Sequence, residues 1–334
     1  MKTRMKFLSL LFIAVSLHFT GLSQVLKVDA VGITVSDLDR SVKFYTEVLG
    51  FKKVSETEVQ GDEYEKLQGI FGIRMKIARL QLGEEFIELT DYLTSGGRSI
   101  PGDFKSNDLA FQHIAIVVSD MEKAYTQLRK FNIEHVSTGP QTLPVSIPEA
   151  AGIKAFYFHD PDQHNLELIY FPTGKGQAKW QQSKGKLFLG IDHTAIGVSN
   201  TDNSVKFYQD ILGIERKGDS WNKGNEQAHL NFIENASLHI TGLRAAAGPG
   251  IELLEYIIPG PGRAYPADSK TDDLWHWQTI LITDDATKIY QQLRSGGYTI
   301  ISKELVQVKD KNGKLHKSFI VRDADGHALL IREQ

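Results

Sequence analysis

No cysteine occurs anywhere in the 334 residues, and this removes disulfides, thiolate metal ligands and a thiol nucleophile together. Any metal would then be held by His, Asp, Glu or Gln, the nitrogen and oxygen donors that suit Zn, Ni, Mn or Fe(II). A charge excess is also missing. The 38 Lys and Arg nearly balance the 41 Asp and Glu, giving a net charge of −3. The two signs are interspersed, so no basic stripe exists to grip phosphates and nucleic acid is not an expected partner. Long apolar runs are lacking too. The run Phe7–Phe19 covers 13 residues, short of the roughly 20 that cross a bilayer as a helix, and no later stretch is longer in this sense.

That short run has other company. Lys2, Arg4 and Lys6 precede it and the small residues Gly21 and Ser23 follow it, the pattern of a secretory signal peptide. Residues 1–23 are expected to be removed on export, leaving a soluble periplasmic or extracellular protein with no membrane association. The chain length suggests two domains at roughly 150 residues each, and the 29 glycines suit short strands and tight turns.

The sequence repeats itself. VGITVSDLDRSVKFYTEVLGF from Val31 returns as TAIGVSNTDNSVKFYQDILGI from Thr194, 163 positions later. GRSIPGDFKSNDLAFQHIAIVVSD from Gly97 returns as GRAYPADSKTDDLWHWQTILITDD from Gly262, 165 positions later and without a gap. FYFHDPDQHNLELIYF from Phe156 resembles FIVRDADGHALLIREQ from Phe319, and within each half HIAIVVSDMEKAYTQL at His113 has the layout of HTAIGVSNTDNSVKFY at His193. Four modules result, with approximate bounds 26–92, 108–171, 188–258 and 273–332, grouped as domains 26–172 and 187–333.

Each module opens with a β-branched run such as Ile114–Val118, then a Ser, Asn or Asp cap, then apolar residues at helical spacing such as Val205, Tyr208 and Leu212. Gly50 and Gly213 are placed to close helices in a left-handed conformation. Alternating strands follow, as at Leu80, Leu82, Phe86 and Ile87 around a Gly83 turn. The fold class is α+β, with β-α-β-β-β modules of about 60 residues that are too small to stand alone and must pair.

The motifs FYTEVLGF, FYQDILGI and DPDQHNLEL resemble those of the vicinal-oxygen-chelate superfamily, which includes glyoxalases, bleomycin-resistance proteins and extradiol dioxygenases; the resemblance covers all four modules. It implies modules paired into curved mixed sheets around cups, with metal ligands near the start of each first strand and on each last strand. The four first-strand positions hold Ala30, His113, His193 and Gln278; the four last-strand positions hold Glu88, Glu167, Glu252 and Leu330. Neighbour pairing gives the sets Glu88, His113, Glu167 and His193, Glu252, Gln278. Middle pairing instead collects His113, Glu167, His193 and Glu252 in one cup and leaves Glu88 and Gln278 in a degenerate one. The connecting loops, duplicated with their modules, favour neighbours. In a strand of period two, each carboxylate between leucine-like neighbours faces the opposite side from them, into the cup, where a cation would compensate it.

The resemblance implies a divalent metal ion and a small-molecule substrate with vicinal oxygens, acted on through enolate stabilisation by a lyase or isomerase in which Glu167 or Glu252 moves the proton. Export argues against a glutathione adduct as that substrate. The alternatives are an Fe(II) ring-cleaving dioxygenase, which needs two histidines and a carboxylate in one cup, and a metal-free drug-binding protein. His159, His164 and His327, on or beside the DPDQH and DADGH turns, are read as surface or supporting residues. Trp275, His276 and Trp277 fit a cup mouth or a domain contact equally. Arg98 and Arg263 are read as loop anchors. A chain of four modules can satisfy every pairing internally as a monomer, with a homodimer as the alternative.

Overall fold

The structure is a computed structural model that describes residues 25–310 and 313–334. The expected export segment, 1–23, lies outside the described residues. Module one runs β1 (Val25–Val35), α1 (Leu38–Glu47), β2 (Lys52–Gln60), α2 (Asp62–Gln68), β3 (Arg74–Leu82) and β4 (Glu85–Tyr92). Module two runs β5 (Phe111–Val118), α3 (Met121–Arg129), β6 (Gln141–Thr142), β7 (Lys154–His159) and β8 (Asn165–Tyr170). Module three has β9 (Phe188–Val198), α4 (Thr201–Val205, continued by a π-type turn over Lys206–Ile211), β10 (Glu215–Lys223), α5 (Asn225–Asn231), β11 (Ser237–Arg244) and β12 (Gly250–Ile258). Module four has β13 (Trp277–Thr283), α6 (Ala286–Ser295), β14 (Val306–Lys309), β15 (Leu315–Arg322) and β16 (Ala328–Glu333). The expected β-α-β-β-β order is present in all four, and modules one and three add the short helices α2 and α5.

Local chemistry sets these elements as the sequence suggests. The first helix of every module is capped by a side chain accepting from the backbone N–H three residues on: Asp37, Asp120, Asn200 and Asp285. Gly50 and Gly213 take φ of +74° and +71° beyond the helix ends, a region closed to most L side chains.

The modules do not pair with their neighbours. One eight-stranded sheet has the order β14-β15-β16-β13-β1-β4-β3-β2 and the other β10-β11-β12-β9-β5-β8-β7-β6. Modules one and four therefore share the outer sheet, modules two and three the inner one, and the preference for neighbour pairing is overturned. The joins are antiparallel: β1 to β13 and β5 to β9. These first strands lie at the sheet centres, and β5, β9 and β13 are buried along their whole length, which explains their nearly continuous apolar runs. A core of residues from both sheets and the helices between them, including Leu49, Ile114, Phe156, Phe207 and Leu281, joins the layers.

Neighbouring modules meet through a helix start and a hairpin turn instead. Asp162 of module two accepts from the backbone N–H and hydroxyl of Ser36 (3.1 and 2.6 Å), and the Tyr45 hydroxyl donates to Asp160 (3.2 Å). The same contacts recur between modules three and four, with Ser199 on Asp325 and Tyr208 on Asp323. His164 and His327 sit inside these turns and are buried, with Nδ1 2.9 and 2.8 Å from Asp160 and Asp323. Their supporting role agrees with the sequence reading; a surface position does not. His159 is half-buried beside Glu134 at 3.6 Å.

The long connectors cross one another. The Arg98 backbone N–H donates to Asp273 at 2.9 Å and that of Arg263 donates to Asp108 at 2.7 Å. Both arginines are the loop anchors expected. Gly97 lies so near Asp272 that a Cβ would stand 1.7 Å from its carbonyl oxygen, so no other residue fits there. Trp277 stacks on Phe111 with ring centroids 4.4 Å apart, inside the inter-sheet core rather than at a cup mouth.

Candidate functional site

Strand register determines what the inner sheet brings together. Ala115 of β5 pairs with both Glu167 and His193, and Ala195 of β9 pairs with both Glu252 and His113. Two adjacent cross-strand rows result, Glu167–Ala115–His193 and Glu252–Ala195–His113, each with a small residue at its centre. Positions 113 and 115, like 193 and 195, share a face of their strand. All four long side chains therefore lean over two alanines toward one point.

Their ends converge. His113 Nε2 lies 3.1 Å from Glu167 Oε2, His193 Nε2 lies 3.6 Å from the same oxygen, and His193 Nε2 lies 3.3 Å from Glu252 Oε2. Ligand atoms of His113, Glu167 and His193 all fall within 4.8 Å of one another, the sole such group of three found among the described residues. The His113, Glu167 and His193 side chains are 5% exposed or less, whereas that of Glu252 is 31% exposed.

Neighbours fix the imidazoles. His193 Nδ1 is 3.1 Å from Asp192 Oδ2, and His113 Nδ1 contacts Gln112 Oε1 across a bulge in β5. With each Nδ1 engaged, each Nε2 is turned to the shared point, as outer partners of metal-binding histidines do. Asp192 is itself held by the Arg244 guanidinium (2.7 Å) and the Trp180 indole N–H (2.5 Å). Sequence reasoning passed over Asp192, although Asp29 stands at the equivalent position 163 residues earlier.

The electrostatics separate the two glutamates. Burial alone would raise the Glu167 carboxyl, but His113 and His193 outweigh it and hold its pKa at about 2. Burial raises Glu252, and the nearby Glu167 charge adds to this while His193 opposes it. Burial would lower His193, yet Glu252, Asp192 and Glu167 lift it well above the ordinary histidine value. His113 Nε2 is buried and faces the Glu167 carboxylate at 3.1 Å. Two buried imidazole nitrogens turned onto carboxylates at one point fit a cation: a His₂Glu donor set with Glu252 at its edge matches the ligands of divalent metals.

The outer sheet does not repeat this. The neighbour-paired sets Glu88, His113, Glu167 and His193, Glu252, Gln278 do not form, because their members lie in different sheets. The corresponding rows are Glu88–Gly32–Gln278 and Leu330–Ile280–Ala30. Ile280 fills the space that Ala115 leaves open, and with Ala30, Leu330 and Ile320 forms an apolar cluster. Glu88 already has a cation, Arg79, at 2.5 Å. Arg79 also holds Asp29 by carboxylate and carbonyl, as Arg244 holds Asp192 in the inner sheet. Gln278 is buried against Gly32 with its Oε1 unpartnered.

A cavity of about 170 Å³ opens over the inner cluster. Leu143, Ile153, Ile169, Phe171, Ile240 and Leu254 form its apolar wall. Tyr157, Ser220, Asn222 and Gln227 add polar groups, and exposed Glu149 stands at its edge. None of these was singled out from sequence, since strand residues far apart in the chain carry no local motif.

Comparison with known proteins agrees with the fold. The profile of the Glyoxalase/Bleomycin resistance protein/Dioxygenase superfamily matches residues 27–168 and 190–331. A glyoxalase I of Saccharomyces cerevisiae is 28% identical over 196 residues, 55% of this chain and 55% of that enzyme, so the match spans about half of the relative's length. A 2-epi-5-epi-valiolone epimerase of Actinomyces sp. is 34% identical over 160 residues, 46% of this chain and 84% of the epimerase. The crystal structure of glyoxalase I from Zea mays superposes with a TM-score of 0.56 at 18% identity, over 93% of this chain and 92% of that one.

Proposed function

Starting from the fact that this chain belongs to the Glyoxalase/Bleomycin resistance protein/Dioxygenase superfamily, we propose that it is a metal-dependent isomerase or lyase with one active cup, in the inner sheet. The observation that carries the reading is the convergence of His113, Glu167 and His193 on one buried point. In this reading His113, His193 and Glu167 hold a divalent ion, with Glu252 as a fourth, exchangeable ligand. When bound, the ion supplies Lewis acidity to two adjacent oxygens of a substrate.

The protein's own groups divide the remaining work. Glu167, with its carboxyl at about 2, stays ionised and serves to bind. Glu252 has the raised pKa and the more open side chain, which suits a general base. It takes a proton from the carbon beside the substrate carbonyl; the C–H electron pair becomes a C=C bond and the carbonyl π pair moves to oxygen. Return of that proton to the other face completes an epimerisation; return to the neighbouring carbon, with the hydroxyl proton passing to the former carbonyl oxygen, completes a carbonyl shift, and neither changes the net count of atoms or electrons. Asp192 and Gln112 keep the two imidazoles oriented, and the apolar wall limits water.

The two-histidine, one-carboxylate set also supports a second reading, Fe(II)-dependent cleavage of a catechol-like ring. Oxygen consumption with catechol separates the two. Export after removal of residues 1–23 belongs to the proposal as well, and the N-terminal sequence of secreted material tests it. For the main reading, the expected outcome is about one divalent ion per chain, lost in His113→Ala. Glu252→Gln keeps the ion and slows substrate α-proton exchange roughly 10²–10⁴-fold. Undiminished metal content in His113→Ala would overturn it.

A further inference from the structure

The charge of the inner cavity points to its substrate, an inference that rests on the metal-dependent reading above. Among the described residues the cavity is lined by Glu149, Glu167, Asp192 and Glu252, and by no lysine or arginine. The Arg244 guanidinium, which reaches the lining residue Asp192, is occupied by that carboxylate at 2.7 Å. Lys175, which reaches the loop at the edge, donates to the carbonyls of Pro148 and Glu149 at 2.6 and 3.2 Å. Beyond the ion itself, whose charge Glu167 and Glu252 would already offset, a ligand carboxylate entering this space would lose its water and meet acidic groups with no lysine or arginine to receive it, which is unfavourable.

Hydroxyl groups would meet the opposite. Asn222 lines the cavity, is 4% exposed, and its Oδ1 has no partner while its amide nitrogen donates to Gln227 at 3.0 Å. A buried acceptor without a donor is a stored preference for a ligand that brings one. Ser220 and Tyr157 add hydroxyls on the same lining. At about 170 Å³ the space is smaller than the roughly 300–1,000 Å³ common for small-molecule clefts, which favours a compact molecule over a tripeptide adduct.

We propose that the inner cup takes an uncharged, compact α-hydroxyketone, whose vicinal oxygens face the His113/Glu167/His193 cluster and whose further hydroxyl donates to Asn222, and that it rejects anionic glutathione conjugates. The test uses the full chain loaded with Co(II), whose visible absorption reports both metal uptake and ligand approach. 2-Hydroxycyclohexanone is the neutral probe and S-hexylglutathione the anionic one.

The expected result is a spectral shift with the neutral ketone and none with the glutathione derivative at ten times that concentration. Asn222→Leu should weaken binding of a hydroxylated ketone such as dihydroxyacetone about tenfold while leaving Co(II) affinity unchanged, which also serves as the fold control. Equal or tighter binding of S-hexylglutathione overturns the substrate class while leaving the metal reading intact, as does a cobalt spectrum that no neutral ketone moves. If no cobalt spectrum develops, the metal reading fails and this inference falls with it.

Discussion

Glu88 and Glu252 occupy equivalent register positions in the two sheets and have opposite company. Glu252 faces His193 across 3.3 Å, whereas Glu88 is matched by the Arg79 guanidinium at 2.5 Å. A guanidinium cannot be deprotonated in a protein, so Arg79 permanently supplies the positive charge that an ion would bring to the inner cup. Glu88→Gln should therefore leave metal content unchanged, as elemental analysis would read. Arg79→Met should lower stability by about 1–3 kcal/mol, since Asp29 and Glu88 would face each other without their common partner. Chemical denaturation measures that loss. The inner ligands were legible because a His at a strand start and a Glu inside LEL or IEL recur at fixed offsets. Arg79 was not, because nothing local marks a strand arginine as reaching a cup.

At the scale of elements, the hairpin turns at Asp160–His164 and Asp323–His327 act as sockets for the starts of α1 and α4. His164 donates from both ring nitrogens, Nδ1 to Asp160 and Nε2 to the Leu274 carbonyl at 2.6 Å, so it is held as the imidazolium. Burial would lower its pKa, but Asp160, Asp162 and that carbonyl raise it. Burial would raise Asp160, but His164 and backbone N–H donors lower it.

A group with a raised folded pKa gives stability that is complete below its unfolded value, about 6.5 for histidine, and is lost as pH climbs through the folded value. The depressed aspartate gives stability present above its unfolded value, about 3.9, and lost as pH falls through the folded one. Stability should thus decline as pH rises above the unfolded histidine value of about 6.5 and again as it falls below the unfolded aspartate value of about 3.9. His164→Gln should flatten the alkaline decline and lower the plateau by about 3–5 kcal/mol. Denaturation midpoints across pH would show both. Helix caps, glycine stops and the β-α-β-β-β succession of elements were readable because each rests on a few adjacent residues. Burial of His164 was not, since its carbonyl partner lies 110 positions away.

For the whole molecule, the repeat predicted four modules and left two pairings open, of which it favoured the one that does not occur. Equal connectors in both halves are compatible with neighbours sharing a sheet and equally with the observed exchange, in which each half gives one module to each layer. The information that decides lies in the antiparallel register of β5 with β9 and of β1 with β13, a long-range property that no segment encodes alone. A fragment comprising residues 24–172 would leave β5 and β1 without their central partners. It should be recovered as a dimer that rebuilds two sheets, or as aggregate, and light scattering that found a folded monomer would contradict the architecture.

The exchange has one more effect. The imidazole and carboxylate of β5 and β8 come from one half and those of β9 and β12 from the other, yet residues 172–187 tie the halves into a single polypeptide. Bringing the four donors together is consequently an intramolecular event with a fixed, high local concentration. Dilution that would dissociate a two-chain equivalent leaves this centre assembled, and its occupancy should depend on the concentration of the ion alone.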